Sequence, residues 1–337
     1  MRKIHLFILA LATLVSCSND ELTDVSNQVN EDLTIRSAAD KIFSVQQITT
    51  NTFETAYTQN YLCTDGDGNL YFFDNSYSSD VTIKKYDPST DETSLVVTIP
   101  NYGTTDVRSI CIDNQKNIYY TNGQVLLKIL ADNKGIVDLS SKLPLEFDYH
   151  VIYGLCAADN GNVFVSMEND LYIPEIDGWK QQQTLFRISA NGNVSEILNN
   201  IGEDNFYLKG GGIVKPNGAF VYAVQGFGSA NKYVKASTTN GTYEGFTTRN
   251  DVQSITAALT KANPYALSGY DIIQLRPNAA SDLVIGTIPN FISNGQGTFL
   301  ELAKPTYFCA NSDATIFYVI AATKNNYTSN LYKVTLN

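Results

Sequence analysis

Residues 65–69 have the oxygen-ligand spacing of a calcium-binding loop. The segment Asp65-Gly66-Asp67-Gly68-Asn69 places carboxylate and amide side chains at alternate positions. A complete loop of this kind also needs glycine at its sixth position and glutamate at its twelfth, where this chain has Leu70 and Ser76. Similar polar segments recur along the chain, so we predict a hairpin turn here rather than a calcium site.

Histidine-dependent catalysis has one candidate base in the chain, His150. The chain contains two histidines, and the other, His5, lies in an N-terminal apolar segment. A zinc site built from several histidines is therefore excluded, and no Gly-x-Ser-x-Gly nucleophile motif accompanies His150. We predict no catalytic residue, place His150 among polar rim residues that contact a ligand, and leave the metal content open.

The N-terminal residues have the order of a bacterial lipoprotein signal. Basic Arg2 and Lys3 precede an apolar stretch of about 12 residues, which is too short to span a bilayer. The run Leu14-Val15-Ser16-Cys17 follows and resembles a lipobox, in which the cysteine is acylated and becomes the new N-terminus. We therefore predict a signal peptide over residues 1–17 and a membrane anchor on Cys17.

Residues 18–40 are polar and acidic and show no hydrophobic period, which predicts a flexible tether. The acidic segment Ser18-Asn19-Asp20-Glu21 resembles the surface-export signal of Bacteroidetes lipoproteins. That resemblance implies an outer-membrane protein on the cell surface, with the periplasmic face as the alternative. Over the whole chain, 34 Asp and Glu outnumber 23 Lys and Arg, so nucleic-acid binding is excluded.

Residues 41–337 repeat with a period of about 48 residues. Four segments start with a cysteine, continue through an Asp/Asn/Gly-rich turn, and reach an aromatic residue eight positions later; they start at Cys63, Cys111, Cys156 and Cys309. A weaker copy starts at Ile213, and the spacing predicts a hidden copy near residue 261. Each copy predicts two strands joined by a hairpin turn.

A repeat of this length with four short strands is typical of a β-propeller blade. About 297 residues divided by 48 gives six blades, and a seven-bladed ring is the alternative. The segment 41–48 is an extra strand, and the last blade lacks its outermost strand. We therefore predict an all-β, six-bladed propeller over residues 41–337, closed by this N-terminal strand.

The segment from Asp65 to Asp87 resembles the NHL-repeat and gluconolactonase-like six-bladed propellers. It shares their "Asp…Gly-Asn-Leu-Tyr" turn and their "Ile-Lys-Lys-Tyr" third strand. In that family calcium binds at the ring axis. We predict no cofactor from the residues themselves, and the resemblance implies bound Ca²⁺ as the alternative. The repeat itself puts the four cysteines on innermost strands, where we expect buried, unbridged thiols because facing sheets lie about 10 Å apart.

One end of a propeller carries the connections between blades and the hairpins between second and third strands, and we call this end the loop face. Aromatic residues are frequent in these segments, which predicts a surface for a ligand with apolar faces and polar edges, such as a glycan. The predicted contact residues are Tyr102, Tyr149, His150, Tyr172, Trp179, Tyr207 and Phe227.

The predicted function is therefore a non-catalytic, ligand-binding surface lipoprotein, whose ligand is a glycan or another small molecule. The rival interpretation of the aromatic residues is that they only pack the loops onto the ring. Two alternative functions stay open. One is a calcium-dependent lactonase, lyase or hydrolase, and the other is an accessory subunit that binds an outer-membrane uptake protein.

Overall fold

A computed structural model of the chain describes residues 43–54, 62–74, 79–102, 109–143, 150–158, 161–201, 209–214, 220–227, 230–237, 243–246, 252–258, 260–261, 263–276, 282–293, 299–324 and 328–336. The predicted signal peptide, tether and lipidated Cys17 lie outside these residues and stay predictions. Within the described residues, no helix is long and apolar enough to cross a membrane.

The first three sheets each contain four consecutive antiparallel strands. The chain enters through β1 (Phe43–Glu54). Blade one contains β2 (Leu62–Thr64), β3 (Leu70–Asp74), β4 (Val81–Asp87) and β5 (Glu92–Ile99). Blade two contains β6 (Ser109–Ile112), β7 (Ile118–Thr121), β8 (Leu126–Ile129) and β9 (Ile136–Asp138). Blade three contains β10 (His150–Ala157), β11 (Val163–Ile173), β12 (Gly178–Ile188) and β13 (Val194–Ile201).

The second half of the chain continues this pattern. Blade four contains β14 (Lys209–Val214), β15 (Phe220–Phe227), β16 (Ala230–Ser237) and β17 (Tyr243–Phe246). Blade five contains β18 (Val252–Thr256), β19 (Tyr265–Ser268), β20 (Asp271–Gln274) and β21 (Leu283–Thr287). A two-stranded sheet of β22 (Phe291–Ser293) and β23 (Phe299–Glu301) follows. Blade six contains β24 (Tyr307–Ala310), β25 (Ile316–Ala322), β26 (Thr328–Leu336) and the N-terminal β1.

Among the described residues, the innermost strands of six four-stranded sheets contact one another in a closed cycle. The order is β2, β6, β10, β14, β18, β24 and back to β2. Hydrogen bonds cross between neighbouring blades, for example from Thr64 Oγ1 to the Ala310 carbonyl at 2.6 Å and from the Leu155 amide to Ser109 Oγ at 3.1 Å. This arrangement confirms the all-β propeller prediction.

The strand near residues 41–48 closes the last blade, as the sequence predicts. β1 pairs with β26 in antiparallel orientation, from Phe43 opposite Leu336 to Glu54 opposite Thr328. The sheet order β1-β26-β25-β24 makes β1 the outermost strand of blade six. Residues from the start and the end of the described chain thus share one blade.

The polar turns are hairpin turns, and their aspartates explain why they recur. Asp65 Oδ1 accepts hydrogen bonds from the Asp67 and Asn69 amides at 3.0 and 2.9 Å. Asp65 Oδ2 accepts from Asn69 Nδ2 at 2.9 Å and from the Tyr71 hydroxyl at 3.2 Å. Asp113 makes the equivalent contacts in blade two. Because Asp65 is buried and committed to its own turn, the segment behaves as the predicted hairpin.

Two repeats differ from the predicted spacing because their turns are longer. Cys63 lies opposite Tyr71, but Cys309 lies opposite Tyr318 rather than Phe317. In blade six the turn closes from the Asn311 amide to the Ile316 carbonyl, one residue more than in blade one. In blade five, Thr256 opposite Tyr265 corresponds to the cysteine position, so the predicted start near residue 261 is wrong.

The four repeat cysteines are unbridged, as predicted. Cys111, Cys156 and Cys309 are buried and Cys63 is half-buried. Cys309 packs in a core cluster with blade-one residues, and Cys111 packs with blade-three residues. The thiols therefore fill space between adjacent blades. Burial raises the pKa of Cys111, and the nearby Cys156 and Cys63 raise it further.

Candidate ligand-binding surface on the blade-three hairpin

The hairpin formed by β11 and β12, which we call the blade-three hairpin, extends beyond the rest of its blade. Its strands pair without interruption from Val163 opposite Ile188 to Ile173 opposite Gly178. In the described part of the blade, the pairing of β10 ends at Asn169 and the pairing of β13 begins at Gln182. Residues 170–181 therefore extend past the described pairing of the flanking strands, and a short 3-10 helix, Pro174–Ile176, forms the tip.

Two aromatic side chains lie next to each other near this tip. Tyr172 and Trp179 are Cα partners, and their ring centroids are 5.4 Å apart in an edge-to-face arrangement with an interplanar angle of 63°. Tyr172 is 43% exposed and Trp179 is 61% exposed. The Tyr172 hydroxyl donates a hydrogen bond to the Asp177 carboxylate, which raises the pKa of Tyr172 because ionisation would lose that bond.

Strand alternation divides the blade-three hairpin into two faces. Successive side chains of a strand point to opposite sides, and direct cross-strand partners share a side. Glu168, Asp170, Tyr172 and Trp179 therefore lie on one face, which we call the aromatic face. Asn169 and its partner Gln182 lie on the other face, which faces the core shared with blade two.

The aromatic face runs from a buried carboxylate to exposed rings. Glu168 is 4% exposed and Asp170 is half-buried. Neither is among the residues predicted from the sequence. Glu168, Asp170 and Tyr172 are spaced at i, i+2 and i+4 in the sequence. This spacing indicates a shared face once β11 is recognised as one long strand.

The opposite face carries a polar row of His150, Asn169 and Gln182. His150 is the Cα partner of Asn169, and Asn169 is the partner of Gln182. Asn169 is 1% exposed and Gln182 is 6% exposed, and among the described residues their oxygens, Asn169 Oδ1 and Gln182 Oε1, have no hydrogen-bond partner. Gln182 Nε2 donates to Asn199 Oδ1 at 2.6 Å. Asn169 and Gln182 are therefore buried polar residues, and His150 is half-buried, on the side away from Tyr172 and Trp179.

His150 connects blade three to blade two. Its Nε2 lies 3.4 Å from the Gln124 carbonyl oxygen, and its own carbonyl accepts a hydrogen bond from Gln124 Nε2 at 3.0 Å. The Ile152 amide donates to the Gly123 carbonyl at 2.8 Å. The structure therefore places His150 in an inter-blade contact and on the opposite face from the exposed aromatic pair.

The other predicted contact residues lie apart from this pair. Tyr102 is half-buried and packs against the core cluster of blades one, two and six, and its carbonyl accepts a hydrogen bond from the Tyr120 hydroxyl at 2.7 Å. Tyr149 and Tyr207 lie outside the described residues. Phe227 ends β15, and its side chain lies outside the described part.

The described ranges contain no group of three or more His, Cys, Asp or Glu side chains that could hold a metal ion. The calcium-like segment does not change this, because hydrogen bonds within the turn occupy both oxygens of Asp65.

Several solved structures have a fold similar to that of this chain. A luciferin-regenerating enzyme has a TM-score of 0.57 and 13% identity, over 87% of this chain and 95% of that chain. A gluconolactonase from Xanthomonas campestris has a TM-score of 0.56 and 10% identity, over 89% and 93%. The calcium-binding protein regucalcin from Agrobacterium tumefaciens has a TM-score of 0.54 and 10% identity, over 88% and 96%.

These similarities confirm the gluconolactonase-like propeller fold that the sequence predicts. At 10–13% identity they concern the fold alone. No protein-family model matches the chain, and no curated protein sequence matches it.

Proposed function

We propose that the protein is a non-catalytic binding protein whose blade-three hairpin binds a glycan. The observation that carries this proposal is the exposed pair of Tyr172 and Trp179 on strands that project past their own blade. A tryptophan exposed by 61% contributes little to packing. Packing of the loops onto the ring, the rival explanation for the aromatic residues, therefore accounts for Tyr102 but not for Trp179.

The chemistry of the aromatic face suits a sugar. A pyranose ring has an apolar C–H face that packs on an aromatic ring and a rim of hydroxyls that needs hydrogen-bond acceptors. Trp179 and Tyr172 offer the ring surfaces, and Asp170 on the same face offers carboxylate oxygens. The bond from Tyr172 to Asp177 restricts the tyrosine ring, which reduces the entropy that binding would cost.

We further propose that six blades make up the complete ring, and that Cys17 is the lipid anchor. An acylated cysteine and a flexible tether of about 22 residues would hold the propeller at an r.m.s. distance of about 25 Å from the outer membrane. The cell surface is the proposed location, with the periplasmic face as the alternative.

A propeller enzyme is the second candidate. The shared fold with a gluconolactonase and with regucalcin supports a calcium-dependent lactonase, lyase or hydrolase as much as it supports a binding protein. An accessory subunit of an outer-membrane uptake complex is the third candidate, and it would combine glycan binding with a protein partner.

The single tryptophan makes the test direct. Trp179 is the chain's only tryptophan. Its fluorescence therefore reports on the aromatic face without a contribution from any other tryptophan. We expect titration of the full-length protein with an oligosaccharide panel to change the emission equally with and without a chelator. Saturable binding without a change in emission would contradict the assigned surface, and turnover that a chelator abolishes would establish the enzyme.

A further inference from the structure

We infer that the aromatic face prefers a cationic glycan, an oligosaccharide of amino sugars with free ammonium groups; this inference rests on the proposed glycan-binding function. The packing of a sugar's C–H face on an aromatic ring is available to neutral and charged sugars alike. The side chains that share the face with the rings determine which sugars are favoured.

Carboxylates flank the aromatic pair along the hairpin. Asp170 is two residues from Tyr172 on the same face, a distance of about 6.6 Å along the strand. That separation is close to the length of one sugar residue, so a sugar stacked on Trp179 would place its neighbour beside Asp170. Asp177, near the tip of the hairpin, accepts a hydrogen bond from the Tyr172 hydroxyl. Glu168 is buried two residues from Asp170 on the same face, on the side away from the tip.

On this face of β11 and β12, the one cation among the described residues is Arg187, which does not offset these carboxylates. Arg187 lies opposite Phe164 and is six positions along β12 from Gln181, the partner of Asp170. Six residues span about 20 Å, about twice the screening length at 0.1 M salt. Arg187 Nε also donates to Ser195 Oγ at 3.2 Å, so this guanidinium is engaged elsewhere in blade three.

Both the aromatic rings and the carboxylates of this face attract an ammonium group. It is attracted to the face of a tryptophan or tyrosine ring and to a nearby carboxylate. A uronic acid or a sulfated sugar would be repelled by the same carboxylates, and the net charge of −11 would add to that repulsion at low salt. A neutral sugar would keep only the stacking contribution.

The test compares two ligands that differ in charge but share a backbone, glucosamine hexasaccharide and N-acetylglucosamine hexasaccharide. With the full-length protein at pH 6 and low salt, we expect the free amine form to bind about fivefold more tightly. Salt at 1 M and the Asp170→Asn variant should each remove most of this preference. Asp132→Asn, which removes an exposed carboxylate from blade two, is the matched control and should leave the preference intact.

The outcomes separate the inference from the function on which it rests. Equal binding of the two hexasaccharides, or a preference that Asp170→Asn leaves intact, overturns the inference but keeps the glycan surface. Absence of binding by both hexasaccharides, together with absence of binding across the neutral oligosaccharide panel, overturns the proposed function as well.

Discussion

Phe43 and Leu336 are Cα partners across β1 and β26. The Phe43 ring is buried and meets Phe317 of β25 edge to face, with ring centroids 5.8 Å apart. The N-terminal strand therefore contributes a core side chain to blade six as well as its outermost hydrogen bonds. Closure of the propeller depends on this strand, because without it β26 would be left as an unpaired edge.

Replacement of Phe43 by alanine should lower the free energy of unfolding by about 3–5 kcal/mol, since it leaves a cavity in the core of blade six. Urea unfolding followed by circular dichroism measures this change. Ser44→Ala, at the next and exposed position of β1, is the control and should change stability by less than about 0.5 kcal/mol. Equal effects of the two variants would contradict closure through β1.

The protein should lose stability above about pH 9. Burial raises the pKa of the Cys111 and Cys309 thiols above the ordinary value of 9.0, and burial with nearby Asp113 raises that of Tyr119 above 10.0. The unfolded chain releases these protons at a lower pH than the folded chain does. The stabilisation is therefore complete below pH 9 and is lost as the pH rises.

Urea unfolding from pH 7 to pH 11 measures this loss. Replacement of Cys111 and Cys309 by valine removes two of the titrating groups, so the variant should lose less stability between pH 8 and pH 10 than the wild type. Parallel pH profiles for the two proteins would show that these thiols titrate normally and are not buried between the blades.

Asn169→Leu should cost less stability than the same change at Asn117. Both asparagines are buried, but Asn169 Oδ1 has no hydrogen-bond partner in the part of the chain that the structure describes, whereas Asn117 Nδ2 donates to Asp113 Oδ2 at 2.9 Å. An unsatisfied buried acceptor costs about 1–3 kcal/mol, and its replacement by an apolar group removes that cost. Chemical denaturation of the two variants compares them, and a larger loss for Asn169→Leu would show that its amide is fully bonded.

The fold could be predicted from the sequence because residues within each polar turn stabilise that turn. The Asp65 carboxylate binds the amides of its own turn, so each turn leaves a visible pattern, and the distance between turns gives the blade period. The length of a turn leaves no comparable pattern in the sequence. The longer turns after Thr256 and Ala310 displace the repeat by residues that the period alone does not reveal.

The candidate site was harder to predict, because exposure depends on neighbouring strands. Tyr102 and Trp179 both occur in loop-face segments, yet Tyr102 packs against a core cluster and Trp179 is exposed. The difference arises because β11 and β12 continue past β10 and β13. The sequence groups His150 with Tyr172 because both are predicted on the loop face, but strand alternation places the two side chains on opposite faces.

The most direct test of the glycan-binding surface is the affinity of the Trp179→Ala variant for an oligosaccharide that the wild type binds, such as N-acetylglucosamine hexasaccharide. Calorimetry measures this affinity for Trp179→Ala and for Phe299→Ala. Phe299 is an exposed aromatic residue on β23 and serves as the control. We predict that Trp179→Ala weakens binding about tenfold or more with little change in Tm, and that Phe299→Ala changes neither. Unchanged affinity with a large fall in Tm would show that Trp179 supports the fold, and would contradict the proposed surface.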